Sequence, residues 1–333
     1  MRFEFATAGR IIFGEGEIGN IGELAAGFGS SALVVTGSDR FRVRSLWKSL
    51  GESGIATIAY TVPQEPTTVL VAAGTALARE NNCDLVIGCG GGSVLDAAKA
   101  ISILLTNGGN PLDYLEVVGK GLPFTKPAAP CIVVPTTAGT GTEVTKNAVL
   151  VSPENRVKVS LRSPWLLPQV ALVDPLLTHT MPRHVTASTG LDAFTQVVEP
   201  YVTHLSNPIT DAVCREGLQR VSLSLRRVYE NGQDAEARKD MAIASLCGGL
   251  ALANAKLGAI HGFASVIGGQ FDAPHGVICG RLLPDVMRAN IRALQQRDAE
   301  SPALARFQVI AQILTESTKA RAEDGVRWVE DLV

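Results

Sequence analysis

The chain has 333 residues, 46% of them hydrophobic and 19% charged, with a formal net charge of −2. That length supplies two domains at roughly 100–200 residues each, and the near-neutral balance, without a block of lysine and arginine, excludes an electrostatic surface for nucleic acid or lipid. Aromatic residues make up only 5% against 33 glycines, so the core rests on Ala, Val, Leu and Ile, and the backbone must turn tightly or approach a ligand closely at many points.

The opening stretch MRFEFATAGRIIFGEG lacks the apolar run of a signal peptide, and no uninterrupted apolar segment reaches the roughly 18 residues of a membrane span. The six cysteines, Cys83, Cys89, Cys131, Cys214, Cys247 and Cys279, form no CxxC pair, and several lie in apolar runs such as CIVVP. They are expected to be reduced core thiols of a cytoplasmic protein.

Strand and helix signals alternate through the first half. SALVVTG (31–37) is a β-branched run ending in glycine, and RFRVRSLWKSLGESG follows with helical apolar spacing. IATIAYTV (55–62) predicts a strand and VLVAAGTALARENN (69–82) a helix. CDLVIGCGGG (83–92) is an apolar strand running into glycines, SVLDAAKAISILLT (93–106) a helix, and PCIVVPTTAGTG (130–141) another buried strand. Continuous apolar strands separated by helices predict a parallel sheet covered on both faces.

After about Asp174 long helical patterns dominate: HVTASTGLDAFTQVVEPYVTH, NPITDAVCREGLQRVSLSLRRVYENG and DAEARKDMAIASLCGGLALANAKLGA. Prolines in VDPLLTHTMPR (173–183) mark the boundary. The expected organisation is an α/β domain over 1–177 and an all-α domain over 178–333. The basic cluster from Arg220 to Arg227 is read as the solvated edge of an amphipathic helix.

GCGGGSVLDAAKA (88–100) is the clearest local signal. A strand ends, glycines strip side chains from the turn, and a helix begins. Ser93 with Asp96 three residues on has capping-box spacing. Gly90, Gly91 and Gly92 allow a pyrophosphate to approach the helix N-terminus, with its unpaired N–H groups and positive dipole end. The alternative is a bare glycine turn, since this is not the GxGxxG pattern at a first strand. In PTTAGTGTEVT (135–145), the hydroxyls of Thr136, Thr137, Thr140 and Thr142 can bond a phosphate, a ribose or an amide; the alternative is a turn rich in side-chain-to-backbone bonds. Asp192 and Gln196, in TGLDAFTQVVEPY, share one helix face.

Together GCGGGSVLDAAKA, PTTAGTGTEVT, VALVDPLLTHTMP, TGLDAFTQVVEPY and AIHGFASVIGGQFDAPHGVICGRLLP resemble the iron-containing (group III) alcohol dehydrogenase family, in its order and spacing from about residue 10 to about 290. The resemblance implies the dehydroquinate synthase-like fold of that family: an N-terminal dinucleotide domain, a C-terminal helical domain and a site in the cleft between them. It implies NAD(P)-dependent hydride transfer between an alcohol and an aldehyde or ketone. Gly91, Gly92 and Ser93 match the pyrophosphate loop, Thr136, Thr137 and Thr140 the threonine loop, and Lys158 a lysine that contacts the cofactor. Gly37 and Ser38 occupy the place where NAD-preferring relatives carry an aspartate, so Gly37 removes a repulsion and Ser38 or Arg40 can bond a 2′-phosphate; NADP is expected to be accepted alongside NAD.

The family's divalent metal, iron or zinc, is held by an Asp, a His four residues later and two further histidines. Those positions are Asp192, Gln196, His261 and His275 here. Gln196 departs from the pattern, because an amide oxygen is a weaker donor than imidazole for such metals. Glycerol dehydrogenase and dehydroquinate synthase, in the wider superfamily, hold zinc with one acid and two histidines, so three ligands suffice with the fourth position open. Ser265 stands where the family carries a proton-relaying histidine, and serine is a poor terminal base. His179, His184 and His204 match no ligand position. Phe263, Ala264 and Val266 suggest a modest apolar pocket. Members of the family run on beyond the length seen here, so the helical domain is expected to be C-terminally shortened.

The expected activity is therefore a metal-assisted NAD(P)-dependent alcohol dehydrogenase or aldehyde reductase acting on a small molecule, expected as a homodimer without nucleic-acid or membrane partners. A metal-independent enzyme like maleylacetate reductase is the first alternative, favoured by Gln196 and disfavoured by Asp192. A lyase of the dehydroquinate-synthase kind, with Arg183 and Arg281 as candidates to hold a phosphorylated substrate, and an inactive nucleotide-binding homologue are the others.

Overall fold

The computed structural model describes residues 2–271 and 273–333, with the side chains of Arg40 and Phe41 outside the description. The chain forms two compact units. One comprises Thr7–Thr137 and Thr142–Thr180; the other comprises Met181–Val333, Ala138–Gly141 and the N-terminal residues through Ala6. The units are thus not two uninterrupted blocks divided at 177/178.

The first unit is α/β. Its elements are β1 (Arg10–Phe13), α1 (Ile21–Ala26), β2 (Ser31–Thr36), α2 (Arg44–Glu52), β3 (Ala56–Thr61), α3 (Thr68–Glu80), β4 (Leu85–Gly90), α4 (Gly92–Asn107), α5 (Pro111–Tyr114), β5 (Cys131–Pro135), β6 (Asn147–Ser152), β7 (Val157–Arg162) and β8 (Val170–Val173). Six strands form a parallel sheet in the order β1-β8-β5-β4-β2-β3, and β6 and β7 pair as an antiparallel hairpin.

Every residue of β4, β5 and β8 is buried, which is why these strands are apolar without alternation. Helix α4 is buried continuously from Val94 to Leu104. A Cβ on Gly88 would lie 2.6 Å from the Ala98 Cβ, so glycine lets α4 settle directly on β4. At about 1.5–3 kcal/mol per buried large aliphatic side chain, buried Leu95 and Ile101 of α4 stabilise the sheet on this side, while Leu85, Ile87 and Val134 cluster with Ile21, Leu46 and Leu50. The periodicity misses β1 and β8, which are only four residues each, and the hairpin, whose strand β6 buries alternate residues.

The second unit is helical: α6 (Arg183–Val202), α7 (Pro208–Glu230), α8 (Ala235–Ala255), α9 (Ala259–Gln270), α10 (His275–Arg297), α11 (Pro302–Thr315) and α12 (Ala322–Leu332). Phe194, Val197, Leu218, Val221, Met241, Leu283, Phe307 and Ile310 belong to its core. Helix α7 starts sharply because the Asn207 side chain accepts the N–H groups of Ile209 and Thr210 and Thr210 Oγ1 accepts the Asn207 N–H, with Pro208 first in the helix. Its basic edge is paired: Arg220 bridges Glu216 and Asp240, and Arg227 meets Asp234. Among the described residues no single helix is long and apolar enough to cross a membrane.

Candidate nucleotide loops and metal centre

In the α/β unit the chain runs from β2 outward to β3 and then returns to lay β4 on the other side of β2. Such a reversal opens a crevice outside the carboxyl ends of the strands, where open α/β sheets take ligands. Gly37 and Ser38 leave the end of β2, Gly91, Gly92 and Ser93 the end of β4, and Thr136 and Thr137 the end of β5. The Thr136 N–H donates to the Gly90 carbonyl at 2.9 Å, and a Cβ on Gly91 would lie 3.5 Å from Thr137 Cγ2. Among the described residues, no heavy atom beyond its own chain neighbours lies within 4 Å of a Cβ placed on Gly37, so the turn after β2 has room for a side chain. The Arg40 side chain lies outside the described residues.

The start of α4 corrects the capping-box expectation. The residue preceding the helix is Gly91, in extended backbone, and no side chain caps it; Ser93 already lies inside the first turn. Asp96 turns inward. Its Oδ1 accepts the Thr142 hydroxyl, its Oδ2 accepts the Val149 N–H at 3.0 Å, and Lys99 Nζ lies 3.7 Å away. The carboxylate is committed to the protein, and the helix N-terminus carries bare amides, as an anion site requires. Lys99, wholly buried, donates to the carbonyls and hydroxyls of Thr142 and Thr145. Burial draws the Lys99 ammonium down and pushes the Asp96 carboxyl up, each offset in part by the other's charge. This network ties 142–145 to the helix that begins at the glycine loop. Lys158, on β7, pairs with Glu65 at 3.2 Å, and Thr140 belongs to the segment grouped with the helical unit.

The helical unit brings four donors together. Asp192 (α6), His261 (α9), His275 and Cys279 (both α10) each offer an atom within 4.8 Å of the others. His261 Nε2 lies 3.3 Å and His275 Nε2 3.9 Å from Asp192 Oδ1, and Cys279 Sγ is 3.7 Å from His275 Nε2. The opposite nitrogen of His261, Nδ1, meets Glu199 Oε2 at 2.6 Å, while Glu199 Oε1 accepts the Ile260 N–H at 2.7 Å. A carboxylate only accepts, so Nδ1 carries a proton toward Glu199, which leaves Nε2 as the nitrogen that would ligate a metal, the arrangement in which an outer carboxylate orients a ligating imidazole.

Two glycines permit these approaches. A Cβ on Gly276 would lie 1.9 Å from the Ser188 carbonyl oxygen, and one on Gly258 2.7 Å from Glu199 Oε1. The glycine after His275 therefore lets α10 touch α6 beside Asp192, and Gly258 makes room for Glu199 at the start of α9.

Burial pulls His261 down, yet its bonds to Asp192, Cys279 and Glu199 outweigh this and hold it well above the ordinary histidine value; His275 is also raised despite burial, by Cys279 and Asp192. All six cysteines are free and buried. Burial pushes Cys89, Cys131 and Cys247 up to about 12. Cys279 is instead lowered, because bonds to His261 and His275 overcome the upward push of burial.

Gln196 is buried on the same helix as Asp192, but its Oε1 lies 3.1 Å from where a Cβ of Gly248 would stand and has no hydrogen-bond partner among the described residues. Ser265 donates to the His261 carbonyl at 2.8 Å, one turn back on α9. Of the three residues expected around an apolar pocket, Ala264 is in the core, while Phe263 and Val266 are exposed. Arg183 stacks on the Tyr229 ring and Arg281 pairs with Asp285. Sequence reasoning missed Glu199 and Cys279. Both were signalled by helical spacing, Glu199 seven residues after Asp192 and Cys279 four after His275.

Comparison with known proteins agrees with this geometry. Residues 8–175 match the family model described as iron-containing alcohol dehydrogenase, and residues 186–333 match that of the Fe-containing alcohol dehydrogenase family, C-terminal. These matches define a family of oxidoreductases acting on CH–OH groups. The chain belongs to the iron-containing alcohol dehydrogenase family. It is 40% identical over 247 residues to alcohol dehydrogenase 4 of Saccharomyces cerevisiae (strain YJM789), a match covering 74% of this chain and 63% of that protein. A crystal structure of 1,3-propanediol oxidoreductase superposes with a TM-score of 0.90 at 34% identity, covering 100% of this chain and 85% of the other. Sulfoacetaldehyde reductase from Bifidobacterium kashiwanohense, in complex with NAD+, superposes with a TM-score of 0.88 at 29% identity over 100% and 85%.

Proposed function

We propose that the chain is an NAD(P)-dependent alcohol dehydrogenase or aldehyde reductase whose hydride transfer is assisted by a divalent metal. The observation that carries this is the meeting of Asp192, His261 and His275 from three helices, with the far nitrogen of His261 already held by Glu199. One acid and two imidazoles suit a catalytic divalent site that keeps a position for substrate. When bound, the metal polarises the carbonyl oxygen and stabilises the alkoxide of the reverse reaction, while the nicotinamide carries the hydride.

The chain's own residues supply placement. Glu199 fixes the His261 ring, Gly276 lets α10 bring His275 beside Asp192, and the bare amides at the start of α4 receive the pyrophosphate. Thr136 and Thr137 line the neighbouring strand end, and the open turn at Gly37 and Ser38 accommodates a 2′-phosphate, so NADP is accepted as well as NAD. Ser265, whose hydroxyl is spent on the His261 carbonyl of its own helix, does not act as a terminal base. The NAD+ complex of the similar sulfoacetaldehyde reductase supports the nucleotide assignment.

A panel of alcohols and aldehydes, assayed with NAD(H) and NADP(H) in chelated protein and after adding back zinc or ferrous iron, tests the proposal. Turnover that depends on added metal is expected. Full activity in metal-free protein would replace it with the metal-independent reductase reading. Nucleotide binding without turnover on any substrate would leave an inactive homologue.

A further inference from the structure

We propose that the Cys279 thiolate is the fourth protein ligand of this metal, in the role that the Gln196 amide does not fill. The inference rests on the metal-assisted reading above and goes beyond it to the identity of the metal.

Tetrahedral zinc holds nitrogen and oxygen at about 2.0–2.2 Å and thiolate sulfur at about 2.3 Å, which makes the edges between ligand atoms roughly 3.3–3.6 Å. The separations here are 3.3 Å for His261–Asp192, 3.7 Å for Cys279–His275 and 3.9 Å for His275–Asp192. Sγ therefore already stands at about one tetrahedral edge from its neighbour. Cys279 and His275 lie one turn apart on α10, so the close packing of Gly276 on Ser188 positions both donors at once. Gln196 has had the chance to join from α6, yet its oxygen lies beside Gly248 of α8.

Two consequences follow. Asp192 and Cys279 together carry two negative charges, which neutralise a divalent ion where one acid with neutral imidazoles leaves it positive. The site trades polarising power for retention. Thiolate is also a soft donor, which favours zinc over the ferrous iron that an all-nitrogen-and-oxygen set accepts. The His275 side chain is 41% exposed, so one face of the cluster stays open for a substrate oxygen as a fifth ligand.

Metal-stripped full-length protein titrated anaerobically with cobalt(II) is the test. Wild type is expected to show visible d–d bands together with a near-ultraviolet thiolate-to-cobalt charge-transfer band. Cys279→Ser is expected to keep the d–d bands, lose the charge-transfer band and bind cobalt roughly tenfold or more weakly, whereas Gln196→Ala keeps both bands. A second readout needs no variant: zinc should protect Cys279 of the wild type from iodoacetamide, as followed by peptide mass spectrometry. Cobalt uptake without the charge-transfer band, or alkylation of Cys279 unaffected by zinc, overturns the assignment and leaves the metal reading standing. No cobalt uptake by wild type overturns both.

Discussion

Glu199 grips the start of α9 with one oxygen and the ring of His261 with the other, at 2.7 Å to the Ile260 N–H and 2.6 Å to Nδ1. One side chain thus terminates a helix and sets which nitrogen of a candidate ligand faces the cluster. Glu199→Gln keeps an acceptor for Ile260 but weakens the charge-assisted bond to the imidazole. Metal affinity is expected to fall about 10–100-fold with little change in far-ultraviolet circular dichroism. Competition against a chelator measures it; unchanged affinity would mean that the ring is oriented by packing alone.

The contact of α10 with α6 is equally specific. A methyl on Gly276 meets the Ser188 carbonyl, so Gly276→Ala must push α10 away. The expected cost is about 1–3 kcal/mol, typical of overpacking, together with reduced metal content in the purified protein. Urea denaturation and elemental analysis report the two effects. A variant as stable and as metal-rich as wild type would show that the helices have room to spare.

In the α/β unit, Lys99 and Asp96 form a buried pair beneath the threonine segment. Lys99→Met leaves the Asp96 carboxyl without its ammonium and frees Thr142 and Thr145 from four hydrogen bonds. Breaking one side of such a pair costs about 3–5 kcal/mol, and the nucleotide KM is expected to rise because 142–145 is no longer tied to α4. Equal stability in calorimetry would contradict the role assigned to the pair.

Burial pushes the Glu143 carboxyl from 4.5 up to about 7. Between those values the unfolded chain has lost this proton while the native protein keeps it. Glu143 therefore contributes stability in acid that is lost as pH rises from about 4.5 to about 7, amounting to about 3 kcal/mol at 1.36 kcal/mol per unit. Glu143→Gln removes the dependence, so wild type should lose stability relative to the variant between pH 5 and pH 8 in urea titrations. Parallel curves would refute it.

The open turn at Gly37 bears on nucleotide choice. Gly37→Asp places a carboxylate where a 2′-phosphate is proposed to lie, and NADP affinity is expected to drop roughly tenfold or more, about 1.4 kcal/mol, with NAD little affected. Equal losses for both nucleotides would place the 2′-position elsewhere.

What was legible in the sequence follows from how far each signal reaches. The apolar runs at 31–37, 83–92 and 130–141 announce central strands because burial on both faces leaves no alternation, and β2, β4 and β5 lie there. Four-residue strands carry too few residues for a period, so β1 and β8 escape. The glycine loop is visible, but its cap is not: Ser93 and Asp96 have the right spacing, and only the fold reveals that Asp96 is claimed by Thr142 and Val149, residues remote in sequence. Among the donors, Asp192, His261 and His275 follow from the family resemblance. Cys279 looked like one more core thiol beside five that are, and its difference lies wholly in the two imidazoles it meets.

Among the described residues β1 finds its only sheet partner in β8, pairing Arg10 with Val170 about 160 residues later. During synthesis β1 must therefore wait, with an unpaired edge, until almost the whole α/β unit has been made. Closing so long a loop adds little to its equilibrium cost, which grows only logarithmically, but it slows the search. Completion of the sheet is thus a late folding event, and β1 is the strand with most to gain from a chaperone.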